Sequence, residues 1–304
     1  MDWPLKVQGR FLDEADVQVV CNLLGDHPEW GRTRLSEKLC QIWNWRRPDG
    51  QWKNIACREL LRKLEGRGLI SLPPRQRNGR KRPPKIAQIS VVRQPVEGDL
   101  ASVQPLQIVD ARNNRQDEQV FNYLLNSEHY LGFSRPVGQN MKYLVRAADG
   151  RVLACLLFGA AAWKVQDRDR FIGWNALTRE TYLNGLTNNT RFLICPWVQV
   201  KCLASKILSQ ICRRLPVDWE RRYGHRVVFI ETFVERQRFC GTCYQAANFL
   251  CVGQTQGRSR QDRFSRLCVP IKDIYVYPLC RNFRRRLGVE QSGKLRGGVT
   301  GQTS

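Results

Sequence analysis

The chain has 304 residues, 42% of them hydrophobic and 10% aromatic, and 50 Lys and Arg against 27 Asp and Glu leave a formal net charge of +23. A composition so rich in core formers excludes a chain disordered as a whole, and the length suits one large domain with a smaller one. A cation surplus of this size attracts polyanions, so DNA is the expected partner; a membrane is not, because the longest near-apolar stretch, residues 152–163, is too short to span a bilayer.

In chain order, residues 1–90 read as a helical DNA-binding domain. Asp13 can cap a helix over 14–24 that Gly25 and Pro28 would stop. A second helix over 33–43 places Leu35, Leu39 and Ile42 at helical spacing. After turn-prone residues 46–50, a third is predicted over 53–64. Its apolar stripe would be Ile55, Ala56, Leu60, Leu61 and Leu64, with Lys53, Arg58 and Arg62 on the other face. Gly66 and Gly68 end it, and residues 69–72 read as a short strand closed by Pro73 and Pro74. Arg75, Arg77, Arg80, Lys81, Arg82 and Lys85 follow with no acid between them. Three helices, a strand and a cationic hairpin is the order of a winged helix-turn-helix, whose third helix enters the major groove while the wing lays cations on phosphates. A plain helical subdomain with a solvated basic face has the same pattern.

Residues 91–116 read as a linker, and 288–304 as a disordered tail behind a second basic cluster of Arg281, Arg284, Arg285 and Arg286. Between them, 117–287 alternates helix and strand signals. Helices are expected over 118–125, 177–186, 203–215 and 241–249. A hairpin is expected from 141–146 and 152–158 around Ala148-Asp149-Gly150, and further strands over 190–194, 227–234 and, last, 250–255. The alternation implies an α/β sheet of mixed strand direction. Its order resembles the acetyltransferase-like (GNAT) superfamily, with Tyr244 to Phe249 running into Val252-Gly253 like that superfamily's penultimate helix and strand. The expected fold is thus α+β or α/β: a winged helix-turn-helix domain, then a GNAT-like mixed-sheet domain. Acetyl-coenzyme A, which that resemblance implies, is disfavoured. The turn that would cradle its pyrophosphate, residues 199–205, has no glycine to let the backbone approach.

Further strings resemble the DruA family, found in Druantia anti-phage islands and in similar proteins of transposable elements. They include Thr33-Arg34-Leu35-Ser36, Trp43-Asn44-Trp45, residues 60–73, His129-Tyr130-Leu131-Gly132, residues 168–174 and 188–194, Pro196-Trp197-Val198, Leu203-Ala204-Ser205, Glu231-Thr232-Phe233-Val234, Gly241-Thr242-Cys243-Tyr244, Ala246-Ala247-Asn248 and residues 272–279. The resemblance spans about residues 30 to 287 and departs at Lys206, where the family pattern favours histidine. It implies DNA-linked biology with partner proteins of a defence or mobile-element system, and brings no mechanism with it.

His129, Glu231 and Asp169 are the catalytic candidates. His129 opens an irregular segment where an imidazole could titrate against substrate, or could fix the loop by a hydrogen bond. Glu231 lies in an apolar strand, where a carboxylate needs a partner such as Arg191 or Arg179. With Asp169 it could form part of a divalent-metal set for strand cleavage, although two-metal enzymes use three or four acids and spacing does not bring Asp273 to them. Asn188, Asn189 and Arg191 could read a phosphate or base edge, or the asparagines could form a turn. Arg258 and Arg260 sit in a glycine-containing basic loop, and Tyr275 and Tyr277 alternate as on a strand face. No metal site is assigned: Cys240 and Cys243 form the only CxxC, and the chain has three histidines. The twelve cysteines, several (Cys155, Cys195, Cys212, Cys251) in apolar runs, read as reduced buried thiols, and with no signal core a cytoplasmic location is expected. Three functions stay open: a DNA recognition or adaptor subunit, a transposase- or nuclease-like enzyme, and an acyltransferase.

Overall fold

Two short strands, β1 (Leu5–Val7) and β2 (Arg10–Leu12), pair antiparallel ahead of the first helix. The computed structural model describes residues 4–7, 10–47, 50–74, 86–257 and 270–289. The cationic run expected to form a wing (Arg75, Arg77, Arg80, Lys81, Arg82 and Lys85), the loop with Arg258 and Arg260, and residues 290–304 of the expected tail lie outside the described residues.

Asp13 starts α1 (Glu14–Asp26) with a reciprocal capping box: its carboxylate accepts from the Asp16 amide at 2.8 Å, and Asp16 accepts from the Asp13 amide. The helix continues through Gly25, whose cost of about 1 kcal/mol is too small to stop it. α2 (Arg32–Ile42) and α3 (Asn54–Glu65) complete the group, and Val17, Val20, Leu35, Leu39, Leu60, Leu61 and Leu64 share one core. Cys57, not Ile55, starts the buried stripe of α3. Positions 57, 60, 61 and 64 follow the helical spacing, leaving Ile55 59% exposed, and Ile42 is likewise outward on α2. Residues 69–72, expected as a strand, have no ladder partner among the described residues. Ile70 and Leu72 instead pack on the helical core, Arg32 Nε donates to the Pro73 carbonyl at 2.7 Å, and the Leu72 amide donates to Glu65.

The chain then forms β3 (Val96–Gly98), β4 (Gln107–Asp110), α4 (Arg115–Glu128), β5 (Met141–Arg146), β6 (Val152–Ala160), α5 (Gln166–Ile172), α6 (Ala176–Tyr182), β7 (Leu186–Ile194), β8 (Val198–Val200), α7 (Leu203–Tyr223), β9 (Phe229–Glu235), α8 (Thr242–Ala246), β10 (Leu250–Gln254), β11 (Lys272–Pro278) and α9 (Phe283–Arg286). Seven strands build one sheet in the order β10-β11-β9-β7-β6-β5-β4, and β3 pairs in parallel with β8. The expected linker, 91–116, is therefore built into this part of the molecule: β4 opens the sheet, and Val96, Val103 and Ala111 are buried in its core. β10 is not the last strand, because β11 inserts between it and β9 and carries Tyr275 and Tyr277.

Every pair in the large sheet is antiparallel except β7 with β9. A parallel pair needs a long crossover, and α7 provides it. Ile207, Leu208, Ile211, Leu215 and Trp219 bury its inner face. The helix passes Pro216, where the sequence predicts its end. Burial of Trp219 and the hydrogen bonds of the Tyr223 hydroxyl, accepting from the Asn140 amide at 2.8 Å and donating to the Asn140 carbonyl at 2.7 Å, hold the last turns in place of the one lost bond. Every described cysteine is a free thiol; Cys155, Cys195 and Cys212 are buried as expected, whereas Cys251 is exposed on the edge strand β10. Among the described residues no helix is long and apolar enough to cross a membrane.

Candidate functional site

The β7–β9 ladder has only three rungs, Leu186 to Phe229, Thr187 to Ile230 and Asn188 to Glu231. Beyond them the strands diverge, and their facing edges open a cleft of about 640 Å³, a size typical of ligand sites. Residues 188–194 and 232–235 form its walls, with the loop after α4, residues 239–244 and Lys272 around them. A β-bulge interrupts β7 here: Leu157 faces Arg191 and Phe158 faces Asn189, leaving Thr190 as the extra residue. Bulges re-aim side chains.

Both asparagines, expected just ahead of the strand either as phosphate or base-edge readers or as a turn, lie within β7. Asn189 is buried and fully engaged: its amide donates to the carbonyls of Leu157 at 3.2 Å and Arg191 at 3.0 Å, and its oxygen accepts from the Tyr244 hydroxyl at 2.8 Å. These bonds tie β7 to β6 and to α8. Asn188 differs, since its side-chain oxygen is buried without a hydrogen-bond partner. Arg191 is half-buried and donates only to neutral carbonyls, Gly132 at 3.1 Å and Thr190 at 2.7 Å; burial lowers its pKa.

His129 follows the last residue of α4. Its Nδ1 accepts from the Leu131 amide at 3.2 Å, and its ring stacks on Tyr130 with centroids 4.8 Å apart. Burial, and then the nearby Arg191 guanidinium, push its pKa down to about 4. The imidazole is thus neutral at neutral pH and organises the loop. A native pKa below the ordinary 6.5 means that the native state binds fewer protons than the unfolded chain. The stabilisation is complete above pH 6.5 and lost as the pH falls toward 4. Urea midpoints at both ends of that window should fall more steeply for the natural chain than for His129→Asn; equal slopes would show that the ring contributes nothing.

Glu231 and Asp169 do come together, but around a guanidinium. Glu231 is 0% exposed; its Oε2 accepts from Arg168 Nη1 at 2.5 Å and its Oε1 from the Ala162 amide at 2.6 Å. Arg168 also donates to Asp169 from Nη2 at 2.6 Å and Nε at 2.9 Å, and Arg179 reaches the other Asp169 oxygen at 3.3 Å. The partner of Glu231 is therefore Arg168, where the sequence suggests Arg191 or Arg179. Burial raises the Glu231 pKa, with Arg168 pulling against it. Both carboxylates are closed off from substrate, and Asp273 pairs with Arg236. Among the described residues no group of three or more His, Cys, Asp or Glu could hold a metal ion.

The turn ahead of α7 does not fit coenzyme A. Gln199 and Val200 are committed to β8, and Cys202 takes the N-cap position with φ +60°, so a side chain occupies the backbone conformation that glycine favours. On the amino-terminal helices, Arg58 and Arg62 are exposed on α3, whereas Lys53 is half-buried just before it, with its pKa lowered by burial.

The chain is similar in fold to spermidine/spermine N-acetyltransferase SpeG from Vibrio cholerae in complex with manganese ions, at 10% identity and a TM-score of 0.37, over 59% of this chain and 95% of that one. It is also similar to spermidine N-acetyltransferase from Vibrio cholerae in complex with CoA and spermine, at 10% identity and a TM-score of 0.38, over 57% of this chain and 95% of that one. These likenesses concern fold alone. No curated protein matches. A family model described as Druantia protein DruA matches residues 69–272, about two thirds of the chain. The match starts after α3, so the strings at 33–36 and 43–45 lie outside it, and it runs from the extended segment through β10 to the first residue of β11. The chain belongs to the DruA family.

Proposed function

We propose that the protein is a DNA-binding recognition or adaptor component of a defence or mobile-element system, docking on duplex DNA through its amino-terminal helices. The outward face of α3 carries this reading. Arg58, Arg62 and Lys63 are exposed there, and Glu59, which pairs with Arg62 at 2.7 Å, is the acid on that stretch, in a chain of net charge +23. A helix of this length fits a major groove with its cations toward the phosphates. The three-helix order and the cationic run from Arg75 to Lys85 extend the reading to a winged helix-turn-helix.

Retention of a short labelled duplex should weaken steeply between about 50 and 200 mM salt. Neutralising Arg58, Arg62 and Lys63 together should lower the log–log salt slope by about 2–3 and weaken binding at least about tenfold. All three side chains are outside the core, so folding is spared. A protein that ignores DNA at low salt, or a slope that does not change, sinks the reading. Acyl transfer, which the acetyltransferase-like resemblance implies, is the second reading, and the side chains of the turn before α7 oppose it. Calorimetry with coenzyme A decides between them.

A further inference from the structure

We infer that the cleft between β7 and β9 receives a single unpaired nucleotide of a DNA strand. The inference rests on the DNA-binding reading and names the part of the DNA that the mixed-sheet domain would take. Three features of the cleft point to the same ligand chemistry.

The first is an aromatic rim. Tyr130 and Phe239 line the cleft with 39% and 49% of their surfaces exposed, ring centroids 5.4 Å apart, and the Arg238 guanidinium lies 5.1 Å from the Tyr130 ring. Large aromatic faces left in water beside a cation form a stacking platform for a planar ring, and every nucleobase offers one. The second is Arg191, half-buried on the cleft wall with only carbonyl oxygens as partners; no carboxylate pairs with it among the described residues. A partly desolvated guanidinium without a counterion is matched by an anion, and a phosphate suits its planar fork. The third is Asn188, a residue of the cleft lining whose side-chain oxygen is buried without a donor. Turned toward the cleft, it would accept from the exocyclic amine or ring N–H of a base.

A ring to stack, a donor for an acceptor and an anion for a guanidinium together describe a nucleotide. The cleft volume of about 640 Å³ holds one nucleotide and not a duplex. The two lining carboxylates that would repel phosphate are each paired with a guanidinium, Glu128 with Arg93 at 2.7 Å and Glu235 with Arg238 at 3.0 Å. Only a nucleotide outside the base stack can enter, so the ligand is an extrahelical or single-stranded residue.

The test compares two labelled duplexes of equal length, one fully paired and one with a single extrahelical nucleotide, using the full chain. The natural protein should bind the second about tenfold more tightly. The double variant Tyr130→Ala, Phe239→Ala should erase that preference and keep its affinity for the paired duplex. Both side chains are substantially exposed, and an unchanged thermal midpoint confirms that the fold is intact. Equal affinity of the natural protein for both duplexes overturns the inference while the DNA-binding reading stands, as does a preference that survives the double variant. Saturation of the cleft by coenzyme A or a free mononucleotide, with no preference between duplexes, overturns it in favour of a small molecule. Failure to retain either duplex overturns both.

Discussion

Replacing Arg168 with leucine is expected to cost about 3–5 kcal/mol of stability. The fully buried guanidinium neutralises two carboxylates at once, Glu231 at 2.5 Å and Asp169 at 2.6 Å, and donates to the Ala162 carbonyl at 2.9 Å. Leucine fills much of the volume and leaves both acids without their shared cation, and removing one partner of a buried pair costs far more than the pair itself contributes. Glu231→Gln should be milder, about 1–3 kcal/mol, because an amide oxygen can still accept from the Ala162 amide. Urea denaturation, with the slope of the transition checked for constancy, separates the two. A loss below about 1 kcal/mol for Arg168→Leu would mean that the network does not hold α5 to the sheet. Glu231→Gln should also leave DNA retention unchanged, since that carboxylate faces no solvent.

Gly241→Ala should lose about 2–4 kcal/mol. Gly241 has φ +69°, and a Cβ there would stand 2.5 Å from the Tyr275 hydroxyl oxygen and 2.7 and 2.8 Å from ring carbons. Tyr275 cannot move aside: its ring is 2% exposed in the sheet core, and its hydroxyl accepts from Gln245 Nε2 at 2.9 Å. The control is Gly138→Ala, at φ +79° with nothing within 4 Å of the added carbon. Backbone strain alone acts there, about 1–2 kcal/mol. Equal thermal shifts for the two variants would remove the steric part of the explanation.

Sequence and structure part where distant partners override local signals. The hairpin of β5 and β6 was fully legible, because Asp149-Gly150 marks its turn and two runs of apolar and β-branched residues flank it. The start of β7 was not: Asn188 and Asn189 carry the signature of a turn, and partners far along the chain, the Leu157 carbonyl and the Tyr244 hydroxyl 55 residues away, make a buried strand position acceptable for Asn189. Proline at 216 reads as a helix end, and the packing of Trp219 overrides it. Glu231, a carboxylate in an apolar strand, reads as needing a cation, and it has one. Which cation depended on the path from β6 into α5, since Arg168 is 63 positions away and nothing local marks it out. The cleft itself carried two indirect signals, the irregular segment around His129 and the Asn188, Asn189 and Arg191 set, while Phe239 and Arg238 gave none because their role comes from the neighbour they meet across the chain.

The short β7–β9 junction has a mechanical consequence. Three rungs join a panel of four strands to a panel of three, so few ladder hydrogen bonds hold the two panels together along that seam. Any molecule that touches both panels acts as a bolt across the gap, and its binding free energy adds directly to the work needed to pull them apart, growing with the logarithm of its concentration.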